Sequence, residues 1–208
     1  DLSAQASMPD HPLGYSILGP IENIERFKAE DLKRFVKSKY LPKHTVITVV
    51  GNVPNALHER LTEFFGEFQR PETGDANSLT PPRFQAGIEQ RIKPTEQAHF
   101  CLSLPGLPIN DKRIYAMTLL NSIVGGSMSS RLFQEIREEH GLAYAVYSYH
   151  TAYEDCGSFV IYAGTSFHQT ERVGELIFNI LHNISHYAVT KEELKKTKEQ
   201  LKGNFTLG

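Results

Sequence analysis

The hydrophobic pattern changes period several times along the chain, and each change predicts an element. The opening, Asp10-His11-Pro12-Leu13-Gly14-Tyr15 through Gly19-Pro20, is rich in turn formers and reads as irregular. Leu32, Phe35, Val36 and Tyr40 then fall on one helical stripe, which Pro42 ends. The β-branched run Thr45-Val46-Ile47-Thr48-Val49-Val50, bounded by Gly51-Asn52, predicts a strand buried on both faces. Leu57, Leu61, Phe64 and Phe65 mark a second amphipathic helix that stops near Gly66. Residues 29 to 68 thus predict helix, strand, helix.

From Gln69 to Pro82 apolar residues nearly vanish, and Pro, Gly, Asp, Asn and Ser take over. That is linker chemistry, and it sets a domain boundary at 71–82. Strand-like segments resume around Phe84–Ile92 and Ala98–Leu104. Asn110 or Asp111 can cap a helix whose residues Ile114, Tyr115, Met117, Leu119, Leu120, Ile123 and Val124 are apolar almost all round, a pattern that predicts burial. Gly125-Gly126 ends it, and a short helix from about Ser129 to His140 follows, closed by Gly141. Ala143–Tyr153 and Ser158–Thr165 read as an antiparallel hairpin turned at Glu154-Asp155-Cys156-Gly157. A long helix carries Val173, Leu176, Ile177, Ile180, Leu181, Ile184 and Tyr187 on one stripe, and Thr190 with Glu193 forms a capping box for a final helix.

Strands in hairpin style with helices on one side make the fold class α+β. The composition, 40% hydrophobic and 22% charged over 208 residues, is that of an ordinary globular protein. A net charge of -2 gives no electrostatic case for nucleic acid or an anionic membrane surface. No apolar run approaches the ~20 residues that span a bilayer. The two cysteines, Cys101 and Cys156, are too few for a disulfide framework and are expected as isolated thiols in a reducing compartment, with the cytoplasm as the expected location. The chain opens at Asp1 without an initiator Met, and residues 201–208 sit inside an amphipathic run. Both ends are expected to fall inside a longer protein.

The densest candidate chemistry lies in Gly125-Gly126-Ser127-Met128-Ser129-Ser130-Arg131-Leu132-Phe133-Gln134-Glu135-Ile136-Arg137-Glu138-Glu139-His140-Gly141-Leu142-Ala143-Tyr144, a glycine turn, a short helix, a glycine stop and a strand opening on an aromatic. Read alone, Arg137 in a last helical turn can simply complement the helix dipole, and Tyr144 can be core. The Gly125–Ser130 loop lacks the Lys and spacing of a phosphate loop and suits a flexible helix-to-helix corner. By strand parity Tyr144, Val146, Ser148 and His150 should share one face, and Tyr147, Tyr149 and Tyr153 the other. None of the nine histidines forms H-x-x-E-H or H-E-x-x-H. Only His182 and His186 stand at helical i,i+4 spacing, on the polar side of their helix, where a solvated face explains them better than a metal.

This run resembles the second domain of the pitrilysin/insulinase zinc peptidases, the family that includes the mitochondrial processing peptidase and bacterial processing proteases. The resemblance implies a clamshell of two similar α+β domains, each an antiparallel-rich sheet with helices packed on one side. Residues 1–70 would then be the C-terminal part of the zinc-bearing first domain, 71–82 the linker, and 83–208 the N-terminal part of the second, substrate-binding domain. It implies a metalloendopeptidase that cleaves unfolded or extended peptides, with zinc held by residues upstream of residue 1 and no ligand in this chain. It casts Arg137 and Tyr144 as the catalytic and substrate-binding pair, and Gly125, Gly126 and Ser127 as peptide contacts bordering the chamber. A homodimer or paired subunit is the implied assembly. The same family holds members that keep the fold without the zinc motif and act as partners or core subunits, and that is the alternative.

Overall fold

The computed structural model describes residues 1–68 and 80–207. Most of the linker expected at 71–82 lies outside the described residues. The chain divides into two compact units, residues 1–17 with 81–208 and residues 18–80. The opening segment therefore packs with the second half, whereas the sequence grouped it with 18–70. The contact is direct: the Gln85 N–H donates to the Ser7 carbonyl at 2.8 Å.

In the larger unit, β1 (Ala98–Pro105), β2 (Ala143–Ala152) and β3 (Gly157–Thr165) form an antiparallel sheet in the order β1-β3-β2. The predicted hairpin is present, and β1 pairs on the far side of β3, so β3 is central. The inward rows are Phe100–Ala163–Val146 and Leu102–Ile161–Ser148. Against them packs α6 (Thr170–Tyr187), whose Val173, Leu176, Ile177 and Ile180 are buried as the stripe predicts. Each such side chain contributes about 1.5–3 kcal/mol by leaving water. The stripe ends early, because Tyr187 is exposed. The architecture is α+β, an antiparallel sheet with helices packed against it.

α5 (Ile114–Val124) departs from expectation. Only its last turn, Ser122 to Val124, is buried, and Tyr115 is exposed. Its start is also later than predicted: Asp111 accepts the Arg113 N–H at 2.8 Å and organises the turn before the helix instead of capping it. α7 (Lys191–Leu207) follows α6, and its capping box is formed as predicted. Thr190 N–H donates to Glu193 Oε2 at 2.8 Å, and Glu193 N–H to Thr190 Oγ1 at 3.1 Å.

The smaller unit holds α2 (Ile21–Arg26), α3 (Ala29–Lys39) and α4 (Leu57–Phe65); α1 (Leu2–Ser7) belongs to the larger one. Residues 45–50, predicted as a doubly buried strand, form no ladder, and Val46 and Val50 are about nine-tenths exposed. A strand exists only by pairing, and no described segment pairs with this one. The strand expected at 84–92 fails for the same reason, with Ile88 and Ile92 exposed. The apolar stripe of α3 is likewise open: Leu32, Phe35, Val36 and Tyr40 are all exposed.

One glycine in the larger unit is fixed by packing. Gly125 is buried at the end of α5, and its carbonyl accepts the Ser148 N–H at 3.1 Å on the edge of β2 away from β3. A Cβ there would press on the Ser148 backbone and lie 2.8 Å from Leu132 Cδ1. Gly125→Ala is therefore expected to lower stability by about 1–3 kcal/mol, read as a lower denaturant midpoint with an unchanged m value.

Candidate functional site

Arg137 and Tyr144 flank one tightly tied corner. The helix expected from about Ser129 to His140 winds as a π-helix over Phe133–Glu139. Such turns are rare in general and recur at functional sites. Ile136 is fully buried and anchors the segment, which leaves Arg137 exposed with its guanidinium carbon 5.0 Å from the centre of the Phe133 ring. That contact holds a flexible cation over an aromatic face. The widened winding persists to the exit, where His140 N–H donates to the Glu135 carbonyl at 3.2 Å and Leu142 N–H to the Ile136 carbonyl at 2.9 Å. Gly141 turns the chain with φ +62, a conformation that favours glycine.

Past the turn, the hydroxyl of Thr165 donates to the Leu142 carbonyl. Thr165 is fully buried at the end of β3 and stands opposite Ala143. The ladder then slips: Ala143 pairs with Thr165 and Ala145 with Gly164, so Tyr144 is the extra residue of a β-bulge. This corrects the parity expected from the sequence. Val146 and Ser148 do face inward, but the bulge turns Tyr144 out to 63% exposure, on the side of Tyr147 and Tyr149. His150 accepts the Leu107 N–H at 3.1 Å through Nε2 and is a structural histidine.

The glycine loop serves a different place. Gly125 closes the β2 edge at Ser148, four residues beyond Tyr144. Gly126 is exposed, and Ser127 is half-buried with its Oγ 3.3 Å from Ser129 Oγ. Gln134 Nε2 donates to the Met128 carbonyl at 2.7 Å, so the loop is tied to the π-helical segment.

Behind the corner, Arg131 forms a two-pronged pair with Glu193, Nε to Oε1 and Nη2 to Oε2, both at 2.8 Å. Arg131 also reaches the carbonyl of Ala188, a non-glycine residue at φ 59 in the α6–α7 turn. The hydrogen bonds from Arg131 hold the Glu193 carboxyl down to about 2, helped by the Thr190 backbone. Sequence reasoning found the capping role of Glu193 but missed Arg131, Phe133 and Thr165. For the bulge a faint signal existed: Ala143 and Val146, both buried, are three apart rather than two.

Among the described residues no group of three or more His, Cys, Asp or Glu could hold a metal ion. His182 and His186 stack with ring centres 3.9 Å apart on exposed α6 positions. Cys101 and Cys156 are free thiols, and burial pushes that of Cys156 up to about 11. No described helix is long and apolar enough to cross a membrane.

A family model described as "Peptidase M16 inactive domain" matches residues 26–201. A protein called "Uncharacterized zinc protease YmxG" from Bacillus subtilis is 41% identical over 207 residues, which is all of this chain and 50% of that protein. The crystal structure of a peptidase M16 inactive domain from Pseudomonas fluorescens superposes with a TM-score of 0.81 at 25% identity, covering 96% of this chain and 49% of that one. A protease from Helicobacter pylori has the same fold, with a TM-score of 0.87 at 21% identity over 98% of this chain and 50% of that one. The chain spans about half the length of the relatives it matches.

Two outcomes follow from the ties behind the corner. Thr165→Val keeps the volume but leaves the half-buried Leu142 carbonyl without this donor, so it should cost about 1–3 kcal/mol, while Thr165→Ser recovers most of the loss in a chemical melt. Because the folded-state value of Glu193 lies below its ordinary 4.5, its pair with Arg131 stabilises fully above that value and is lost as pH falls towards 2. Glu193→Gln should flatten the pH dependence of the denaturation midpoint in that window and leave the slope elsewhere unchanged.

Proposed function

The chain belongs to the peptidase M16 family, the pitrilysin/insulinase peptidases, and on that footing we propose that it is a part of such a protein that carries no metal and engages an extended peptide through Arg137 and Tyr144. The observation that carries this reading is the corner itself: an exposed guanidinium and an exposed phenol on either side of a turn that buried groups hold rigid. Flexible surface side chains need no such support. Zinc is part of the relatives' printed names, but the described residues here offer no fitting ligand set. No step of this proposal therefore runs through a metal on this chain.

The chemistry assigned to the pair is donation. When a peptide bond is cleaved, negative charge grows on the former carbonyl oxygen, and an aimed donor lowers that barrier. A phenol is suited to this as a neutral, stiff donor. The guanidinium can grip a neighbouring carbonyl and fix the register of the bound strand. Gly126 and Ser127 border the same π-helical segment and are proposed as secondary peptide contacts. The division into two like domains at 71–82, pairing with a second subunit and a cytoplasmic setting belong to the same proposal.

A second reading is a family member that cleaves nothing and acts as a partner or core subunit. The description of the matching family model as an inactive domain, and the lack of a metal-ligand group among the described residues, favour it for this chain taken by itself. The two readings part over the whole protein. In the full-length protein, Tyr144→Phe should depress cleavage of an unstructured peptide roughly ten- to thousandfold, the scale of losing an oxyanion donor, at unchanged bound zinc. Turnover that survives Tyr144→Phe would remove the role given to the phenol; a full-length protein with neither zinc nor turnover would establish the second reading.

A further inference from the structure

The face of the sheet turned away from α6 carries a line of rings. In the outward rows Cys101–Tyr162–Tyr147 and Ser103–Val160–Tyr149, Tyr147 lies 4.9 Å from Tyr162 and 6.2 Å from Tyr149, centre to centre. His99 extends the line, its ring 6.0 Å from that of Tyr162 and its Nδ1 2.8 Å from the Tyr162 hydroxyl. None of the outward positions of the three strands is Asp, Glu, Lys or Arg. Tyr147 and Tyr149 are nonetheless 44% and 42% exposed. Burial raises the phenols of Tyr149 and Tyr162 above their ordinary value. The bulge leaves Tyr144 exposed on the same strand, three residues before Tyr147, at the end of β2 that meets the corner.

We propose that this ring face is a subsite for aromatic side chains of an extended peptide held at Tyr144. The inference rests on the reading that the chain engages peptides, and it adds the side-chain class selected. A charged side chain laid here would lose hydration, and no outward strand position carries a charge to replace it. A neutral ring, by contrast, can meet Tyr147 and Tyr162 offset or edge-on, at the spacings these rings already keep among themselves. Phenol hydroxyls at the rim stay wet and need no partner from the peptide.

The test is binding, separate from cleavage. Full-length protein with chelator present to stop turnover is titrated into labelled unstructured peptides that differ at one position, Phe, Ala, Arg or Glu, and anisotropy is read. The Phe peptide should bind roughly three- to tenfold tighter than the Ala peptide. Tyr147→Leu, which keeps bulk without the ring, should erase most of that preference while leaving Ala-peptide affinity and the melting midpoint in place. Equal binding of Phe and Ala peptides overturns the inference, as does a preference for Arg, which would make the face a cation site. If no peptide binds at all, both the inference and the reading beneath it fall. A Phe preference that persists in a protein without peptidase activity supports the subsite and removes only the cleavage.

Discussion

A single buried hydroxyl organises the corner on which the site depends. Thr165 Oγ1 reaches from the last residue of the central strand to the carbonyl of Leu142, the residue that follows the turn at Gly141. With that carbonyl fixed, the chain leaves the π-helical segment in one direction and enters β2 one residue out of step. Both exposed side chains then follow from geometry. Arg137 projects because Ile136 beside it must be buried, and Tyr144 projects because the bulge gives it no inward position. The Arg131–Glu193 pair carries the support further, linking the residues before the π-helical segment to the first turn of α7.

The two units differ in how far they satisfy themselves. The larger has a continuous core, from Leu132 and Ile136 through the sheet to α6. The smaller has amphipathic helices whose apolar stripes remain open, and a β-branched run with no ladder. Such surfaces are normally covered by other polypeptide, because exposed apolar rows and unpaired strand edges invite association. That the relatives are about twice as long agrees with such cover coming from further chain.

Much of this was legible from residue order. The hairpin, the capping box at Thr190 and Glu193, the stripe of α6 and the stop at Gly141 are local signals, and local signals survive whatever the rest of the chain does. The segments at 45–50 and 84–92 carried equally good β patterns, yet a strand is a relation between two segments and one sequence window cannot supply its partner. The π-helical winding and the bulge were hidden for another reason. Each is a one-residue slip, and apolar periodicity averages over such slips. Tyr144 was therefore assigned to the correct strand but to the wrong face. The ring face escaped notice because its members are scattered over the chain at 99, 147, 149 and 162 and meet only through the register of β1, β2 and β3.

The bulge has a consequence for how this site can change over generations. A bulge is one residue more than the ladder requires, so loss of a single codon between Ala143 and Val146 would restore a regular strand that still folds. Where the lost codon is that of Tyr144, the phenol goes with it and Ala145 keeps its place opposite Gly164. Most replacements near the corner weaken the site by degrees, but an in-frame deletion there would abolish it at one step while sparing the scaffold, an easy route from a peptide-engaging protein to a structural descendant.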